Sequence, residues 1–305
     1  MNAQRMLEFY ERAGYSVAKT SNAYWYVPGR RLYKNFPCGA AITPSREELS
    51  DLSHRRGILG AEFFNRDGIG VPSGLWMMRD STYDLHSVQR QFRQHLVPAV
   101  KREQVREISF ADLATQATAA NLETLARQHH ADAHIADPAM WRRLCNAGAH
   151  VPGAGVFASF SAHRLMAYLI YFVVDGTCYG LISKSIDEAR HTGSNHALYF
   201  TYTRTMIRRA EITAVTLGLQ SIPPIEGVDR MKRHAGHSLE PFHVAVSLRP
   251  VARALIGGRV GAIALRAAER ILGSTDEIQR TRALHSILAA TESVSGGATL
   301  DKRVV

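Results

Sequence analysis

The fold is decided by the stretch LMAYLIYFVVDGTCYGLISKSIDEARHTGSN, residues 165–195. Leu165 to Val174 is dense in aromatic and β-branched side chains, and a shorter run, Phe157 to Ser161, precedes it. Asp175-Gly176 supplies the two positive-φ positions of a tight hairpin turn, so Thr177 to Ile186 is predicted to return as the partner strand. The loop Arg190-His191-Thr192-Gly193-Ser194-Asn195 then opens a helix whose stripe Leu198, Tyr202, Met206, Ala210, Ala214 and Leu217 lies at helical spacing. Gly218 is predicted to end that helix as a left-handed cap.

Downstream, the pattern predicts a strand at Leu219 to Ile222, a break at Pro223-Pro224, a short helix through Lys232 that stops at Gly236, and a strand at Phe242 to Leu248. Pro250 opens a helical tail whose last residues, Ser293 to Val305, are small or polar and are expected to be disordered. Upstream, short strands are predicted at Tyr15 to Ala18, Tyr24 to Val27 and Ala40 to Ile42, with further pieces near Gly57 to Glu62 and Leu75 to Met78. Ser45 three residues before Glu48 is a capping box, and Leu85, Val88, Phe92 and Leu96 mark a helix that Pro98 should kink or end. A strand at Val105 to Phe110 follows. Ser109 with Asp112 caps a helix to about His129, and Asp137-Pro138 opens another that Gly148 closes.

The 305 residues are enough for two modest domains, and the expected division is 1–108, 109–250 and a tail 251–305. The expected class is α+β. Cys38, Cys145 and Cys178 are odd in number and far apart, which argues against a disulfide framework and a zinc ribbon. His129, His130 and His134 have no Cys or carboxylate to complete a metal set, so no metal is expected. Lys and Arg outnumber Asp and Glu by 37 to 27, a field that attracts polyanions such as nucleic acid, a nucleotide-bearing thioester or an acidic membrane surface. The N-terminus, Met1 to Arg12, carries charge throughout and lacks the apolar centre of a secretion signal, which places the expected location in the cytoplasm. No Gly-x-Ser-x-Gly elbow and no Walker loop occurs, which removes most support for hydrolase and phosphotransferase chemistry.

Three constellations could carry chemistry, and each has a plainer reading. Arg190, Gly193, Ser194 and Asn195 form either an anion cradle at a helix N-terminus or an ordinary turn before a helix. Lys232 lies beside Val228 and Met231, which are spaced to pack inward; it is either a group that neutralises a developing oxyanion or a solvated lysine. Tyr202 and Tyr199, in the first turns of the long helix, are either acids that protonate a leaving group or core tyrosines with satisfied hydroxyls. His237 and His243 flank a strand start as bases or as structural histidines, and Arg204 and Arg208 grip phosphates or face water.

The order of these pieces resembles the GNAT-like acyltransferases of the Fem type, which include peptidoglycan-bridge aminoacyltransferases and acyl-CoA-dependent N-acyltransferases. The resemblance covers Asn22 to Pro250, and its most specific part is Met231-Lys232 with Gly236, similar to the family's Phe-Lys-x-x-x-Gly with Met in place of Phe. Arg190-x-x-Gly193-x-Asn195 is similar to the acetyltransferase loop Gln/Arg-x-x-Gly-x-Gly/Ala, departing at the last position. Ser221-Ile222-Pro223-Pro224 also departs from the acidic or glycine-rich strand end usual there. The resemblance implies tandem GNAT-like domains with mixed, mostly antiparallel sheets, and puts Lys232 at the reaction centre. It implies an N-acyltransferase in which an amine acceptor, a small molecule or a peptide, attacks an activated donor directly. The expected donor is acyl-CoA or the same pantetheine arm on a carrier protein, with Arg190, Gly193, Ser194 and Asn195 around its phosphates. Aminoacyl-tRNA is the alternative donor. A non-catalytic binder remains, as does a membrane-surface protein using Arg259, Arg266 and Arg270 with Val260, Ile263, Ala267 and Ile271 of the tail.

Overall fold

The computed structural model describes residues 3–29, 31–127, 132–257, 263 and 276–300, the last stretch with side chains at 281–293. The chain opens with α1 (Ala3–Arg12), β1 (Val17–Lys19), β2 (Tyr24–Tyr26), β3 (Leu32–Phe36), α2 (Arg46–His54), β4 (Gly60–Asn65) and β5 (Val71–Met78). It continues through α3 (Arg90–Arg102), β6 (Gln104–Ile108), α4 (Phe110–Gln116), α5 (Thr118–Arg127), α6 (Ala133–Ala136) and α7 (Pro138–His150). The hairpin strands β7 (Ala154–Ser161), β8 (Arg164–Val174) and β9 (Thr177–Ser185) precede α8 (Glu188–Thr192), α9 (Ser194–Ile207) and β10 (Ala214–Leu219). The last elements are α10 (Glu226–His234), β11 (Ser238–Leu248), α11 (Pro250–Ile256) and α12 (Asp276–Leu300).

Two compact units divide these elements: Met1–Gly14 with Leu75–Glu240, and Tyr15–Gly74 with Pro241–Val305. In the larger unit the strand order is β5-β10-β9-β8-β7-β6; in the smaller it is β1-β2-β3-β4-β11. Each is a run of antiparallel neighbours interrupted by one parallel pair, β9 with β10 and β3 with β4. A parallel pair cannot be joined by a tight turn, and in both units helices make the crossover: α8 and α9 in one, α2 in the other. The same plan therefore occurs twice, as the α+β class with tandem units requires. The repeat is one of topology, and it leaves no matching sequence period.

The boundary expected at residues 108 and 109 falls between β6 and α4, inside the larger unit. Its cause is an exchange of closing strands. The end of β5 pairs with β10, Val215 opposite Met78, although β5 precedes β10 by more than a hundred residues. In return β11 pairs with β4, Val244 opposite Phe64. Each unit is thus completed by a strand from the other half of the sequence.

Strand β8 reads as an almost unbroken apolar run because both its faces are covered. Tyr168 and Phe172 face one side, where Phe172 meets Phe9 of α1 and Tyr168 meets Trp141 of α7. Ala167, Leu169 and Tyr171 face the other, joining Phe92 and Leu96 of α3 with Leu198, Tyr202 and Met206 of α9. The smaller unit has its own core around Trp25, Tyr33, Leu52, Phe63 and Ala245.

Several local expectations are met by the geometry. Asp175 and Gly176 take φ of 45° and 77°, and the Ser45, Ser109 and Asp137 side chains accept from Glu48, Asp112 and Ala139 amides. Others are corrected. Strand β3 replaces the one expected at Ala40 to Ile42, and α3 begins at Arg90 and runs through Pro98, whose ring sits on an exposed face where water can take the carbonyl it leaves unpaired. The helix after Ser109 breaks at Ala117. The largest error concerns α9, which ends at Ile207; Ala214 to Leu219 is strand β10, so the helical stripe beyond Met206 was coincidental and Gly218 caps nothing. Helix α12 continues from Asp276 to Leu300 through the expected disordered end, and residues 301–305 lie outside the described ones.

Gly148 does not close α7, which continues to His150. A Cβ there would lie 2.3 Å from the Phe110 ring, so the residue is glycine to let α4 approach. Helix propensity alone would make Gly148→Ala stabilising by about 1 kcal/mol. Steric crowding should reverse the sign, and urea unfolding is expected to show a loss of about 1–3 kcal/mol.

Candidate functional site

Strands β9 and β10 pair in parallel over three positions only: Ala214 with Thr177, Val215 with Cys178 and Thr216 with Tyr179. Beyond these, β9 continues along β8 to Ser185, while β10 follows β5. Two bulges lie where the pair stops. On β9, Gly180 opposes Tyr171 and Ile182 opposes Ile170, leaving Leu181 as the extra residue. On β10, Thr216 opposes Met77 and Leu219 opposes Leu75, so Leu217 and Gly218 stand against Trp76 alone, with Gly218 at φ 82°. A bulge bends its strand and re-aims the groups beside it. Together they part the strands and leave a stretch of β9 backbone, from Gly180 onward, without a ladder partner on the β10 side among the described pairings.

Tyr202 holds the closed end of this opening. It is fully buried, and its hydroxyl reaches the Cys178 carbonyl at 3.2 Å, the Cys178 sulfur at 3.3 Å and the Thr216 carbonyl at 3.5 Å, touching β10 at its last paired position and β9 one residue before its own. Burial holds its pKa well above the usual tyrosine value, with Cys178 adding to the shift. Such a hydroxyl stays protonated and serves as a stitch between strands. Tyr199, three residues earlier, is only partly buried, and its hydroxyl meets Ser183 Oγ at 2.9 Å on the parted length of β9. Of the two tyrosines named from the sequence, Tyr199 is therefore the one at the opening.

Lys232 lies at the far end of β10. Its Nζ donates to the Leu219 carbonyl at 2.8 Å, the last residue of that strand. Helix α10 meets the expected packing at Met231, which lies partly buried against the core, and departs from it at Val228, 38% exposed, with Asp229 and Lys232 as its buried residues. The polar face can go inward because it finds partners. Asp229 Oδ1 accepts from Trp76 Nε1 at 3.1 Å, and Arg233 stacks over the Trp76 ring. Burial pulls the Lys232 pKa down to about 8, against the neighbouring Asp229 charge, which raises it. His237, whose amide donates to the Lys232 carbonyl, is buried and pushed down to about 3, chiefly by desolvation, so its ring is neutral.

The loop expected to cradle an anion is more closed than its sequence implies. Arg190 is exposed in the short helix α8 and is not a loop residue. Gly193, at φ 79°, starts α9 and faces α3, where a Cβ would come within 2.8 Å of the His95 carbonyl. Ser194 is fully buried with its Oγ 2.8 Å from Thr192 Oγ1, and the Thr192 carbonyl accepts from Arg102. Asn195 keeps a partly exposed amide that reaches Ser185 Oγ at 3.4 Å. Gly193 and Ser194 thus serve the packing of α3 on α9, and Arg190 and Asn195 are the pair left facing outward. Arg204 is exposed, and Arg208 donates to the Tyr83 carbonyl. His243 gives only its carbonyl, to Asn65. His129, His130, Arg259, Val260, Arg266, Arg270, Ala267 and Ile271 lie outside the described residues.

Sequence reading missed the two bulges, Ser183 and Asp229. A signal for the first existed in Gly180, an isolated glycine within the strand predicted at Thr177 to Ile186.

The chain is similar in structure to FemX, with 12% identity, 82% of this chain and 93% of that one covered, and a TM-score of 0.55. The fold is the one FemX has. It is also similar to the C-terminal domain of a putative lysylphosphatidylglycerol synthetase from Agrobacterium fabrum, at 13% identity, 86% and 91% coverage and a TM-score of 0.53. L-PGS from Bacillus licheniformis matches at 11% identity, 88% and 92% coverage and a TM-score of 0.54. No family model matches the sequence, and no curated protein does. Identities this low show the fold alone and leave activity, donor and acceptor to be argued from the residues.

If Tyr202 is a stitch and Tyr199 lies at the opening, their phenylalanine variants should separate. Tyr202→Phe should lose about 1–2 kcal/mol in urea unfolding, because buried carbonyls lose a donor. Tyr199→Phe should stay within about 0.5 kcal/mol of the parent. Gly193→Ala should cost more than about 2 kcal/mol, combining positive φ with the contact on α3.

Proposed function

We propose that the protein is an N-acyltransferase that lays the arm of an activated acyl donor along the parted length of β9 and presents its carbonyl to an acceptor amine. The observation that supports this reading is the pair of facing bulges at Leu181 and at Leu217-Gly218, which opens a strand edge inside a sheet. Unpaired strand N–H and C=O groups bind amide-bearing chains by adding them as a strand. The pantetheine arm of CoA is such a chain, with two amides and a thioester at its tip.

The reaction needs no covalent enzyme intermediate. The donor is already activated, and the amine nitrogen attacks the thioester carbonyl to give a tetrahedral oxyanion, which collapses to amide and thiolate. The protein aligns the two and stabilises the oxyanion. A bulge N–H near Leu181 and the Lys232 ammonium are the donors for that charge, and Tyr199 gives its proton to the leaving thiolate and takes one back from the newly acylated nitrogen. The anionic end of the donor meets Arg190 and Asn195, the two residues of the loop that face outward. The acceptor is a small molecule or peptide bearing a free amine.

Aminoacyl-tRNA is the competing donor, favoured by the formal charge of +10. The two are separated by native mass spectrometry of protein purified gently from its own cells. A retained CoA mass, with thiol release tolerant of salt, supports the thioester reading; retained tRNA, with activity falling steeply with salt, overturns it in favour of the alternative.

The depressed Lys232 pKa gives a test of the chemistry itself. The protonated form is the useful one, so kcat should fall as pH rises through about 8. Lys232→Met should lower kcat by about 10²-fold and remove that alkaline limb, and Lys232→Arg should move the limb to higher pH. Unchanged turnover in Lys232→Met would remove the lysine from the mechanism.

A further inference from the structure

Helix α10 is fastened across the bulge of β10 by two side chains one turn apart. Asp229 Oδ1 accepts from Nε1 of Trp76, the β5 residue that faces Leu217 and Gly218 alone, and Lys232 Nζ donates to the carbonyl of Leu219, where the bulge ends. Residues three apart on a helix share a face, with Cβ atoms about 5–6 Å from each other. Both are buried, so the bulge is bracketed by a carboxylate and an ammonium held away from water.

The second carboxylate oxygen is left over. Asp229 Oδ2 is buried and has no hydrogen-bond partner among the described residues, Lys232 included. A proton on it would find no acceptor, and a charge on it is served by one neutral donor, the Trp76 indole. Either state is costly in isolation. The lysine charge one turn along lowers that cost through space, and the effect is mutual.

No other group around this face does the same for the lysine. Helix α3, which packs on α10, carries no carboxylate from Arg90 to Arg102, and its Arg93 donates to the Val88 carbonyl. Asp80 and Asp84, in the loop between β5 and α3, accept from amides of that loop. Tyr83 of the same loop is kept protonated by burial and donates to the Ala235 carbonyl at 2.7 Å, and the buried His237 ring is neutral. On α10 itself, Glu226 is exposed beside Arg230, Arg233 stacks over Trp76, and the His234 carbonyl accepts from Gln89. Asp229 is the buried carboxylate on this face.

We propose that Asp229 is a positioning residue for Lys232: it holds α10 onto the bulge through Trp76 and, as a counter-ion one turn away, keeps the lysine side chain an ammonium. The use of that ammonium rests on the acyltransfer reading, in which it meets an oxyanion. Burial draws the Lys232 pKa down to about 8 with Asp229 opposing it. Without the carboxylate it would fall further.

The test is an NMR titration of the whole chain labelled with ¹³C in lysine and ¹⁵N in tryptophan. Lys232 is assigned by the signal lost in Lys232→Met and the Trp76 indole by that lost in Trp76→Phe. In the parent the lysine midpoint should lie near pH 8. Asp229→Asn, which keeps an oxygen for the indole and removes the charge, should lower it by about one pH unit or more, and Asp229→Glu should recover most of that fall. Asp229→Ala should in addition displace the Trp76 indole resonance. The proposal is overturned if the midpoint in Asp229→Asn stays within about 0.3 pH units of the parent, if Asp229→Glu titrates as Asp229→Asn does, or if Asp229→Ala leaves the indole resonance in place. All of this is read on the free protein. The alkaline limb of kcat should follow the midpoint; a midpoint that moves while the limb does not leaves the pair standing and removes the lysine from the chemistry.

Discussion

The candidate site depends on a hydroxyl that never reaches it. Tyr202, fully buried, touches carbonyls of both parallel strands over the last two positions where they run together, and beyond these each strand bulges away. A parallel pair released earlier would lose its register, and one held longer would have no open backbone. The position of one aromatic side chain on α9 thus sets where the sheet stops being a sheet. Lys232 does the complementary task at the other end, where its ammonium takes the terminal carbonyl of β10 and fixes the strand's end.

The polar pair on α10 shows how burial and chemistry are joined. A lysine at 8% exposure, held beside a carboxylate that also anchors Trp76, is costly to keep charged, and its pKa falls accordingly. The same displacement puts its charge change close to neutral pH, a range useful for a group that must respond to an oxyanion. The structural role of Lys232 is compatible with the chemical one proposed for it. Its bond to Leu219 is what holds it beside the opening.

Legibility from the sequence followed the range of the forces involved. Turn chemistry at Asp175-Gly176 and the caps at Ser45, Ser109 and Asp137 are local, and they were readable residue by residue. The end of α9 was not, because Ala210, Ala214 and Leu217 continue a helical spacing while belonging to a turn and a strand that pairs with distant β5. The anion loop was misjudged for a related reason. Gly193 was read for its neighbours in sequence, but its smallness answers to α3, nearly a hundred residues away. Lys232 was singled out by its motif, whereas its neighbour Asp229 was passed over because a carboxylate one turn away looks solvated until Trp76 is seen beside it.

The exchange of closing strands has a consequence for biosynthesis. Everything the larger unit needs has left the ribosome once Glu240 emerges, since β5 was made long before β10. The smaller unit, begun at Tyr15, finishes last, because β4, with Phe63 and Phe64 already exposed, waits for β11 to be translated. The nascent chain therefore carries an unfinished apolar edge through most of its own production, and that waiting edge is where a chaperone would be needed most.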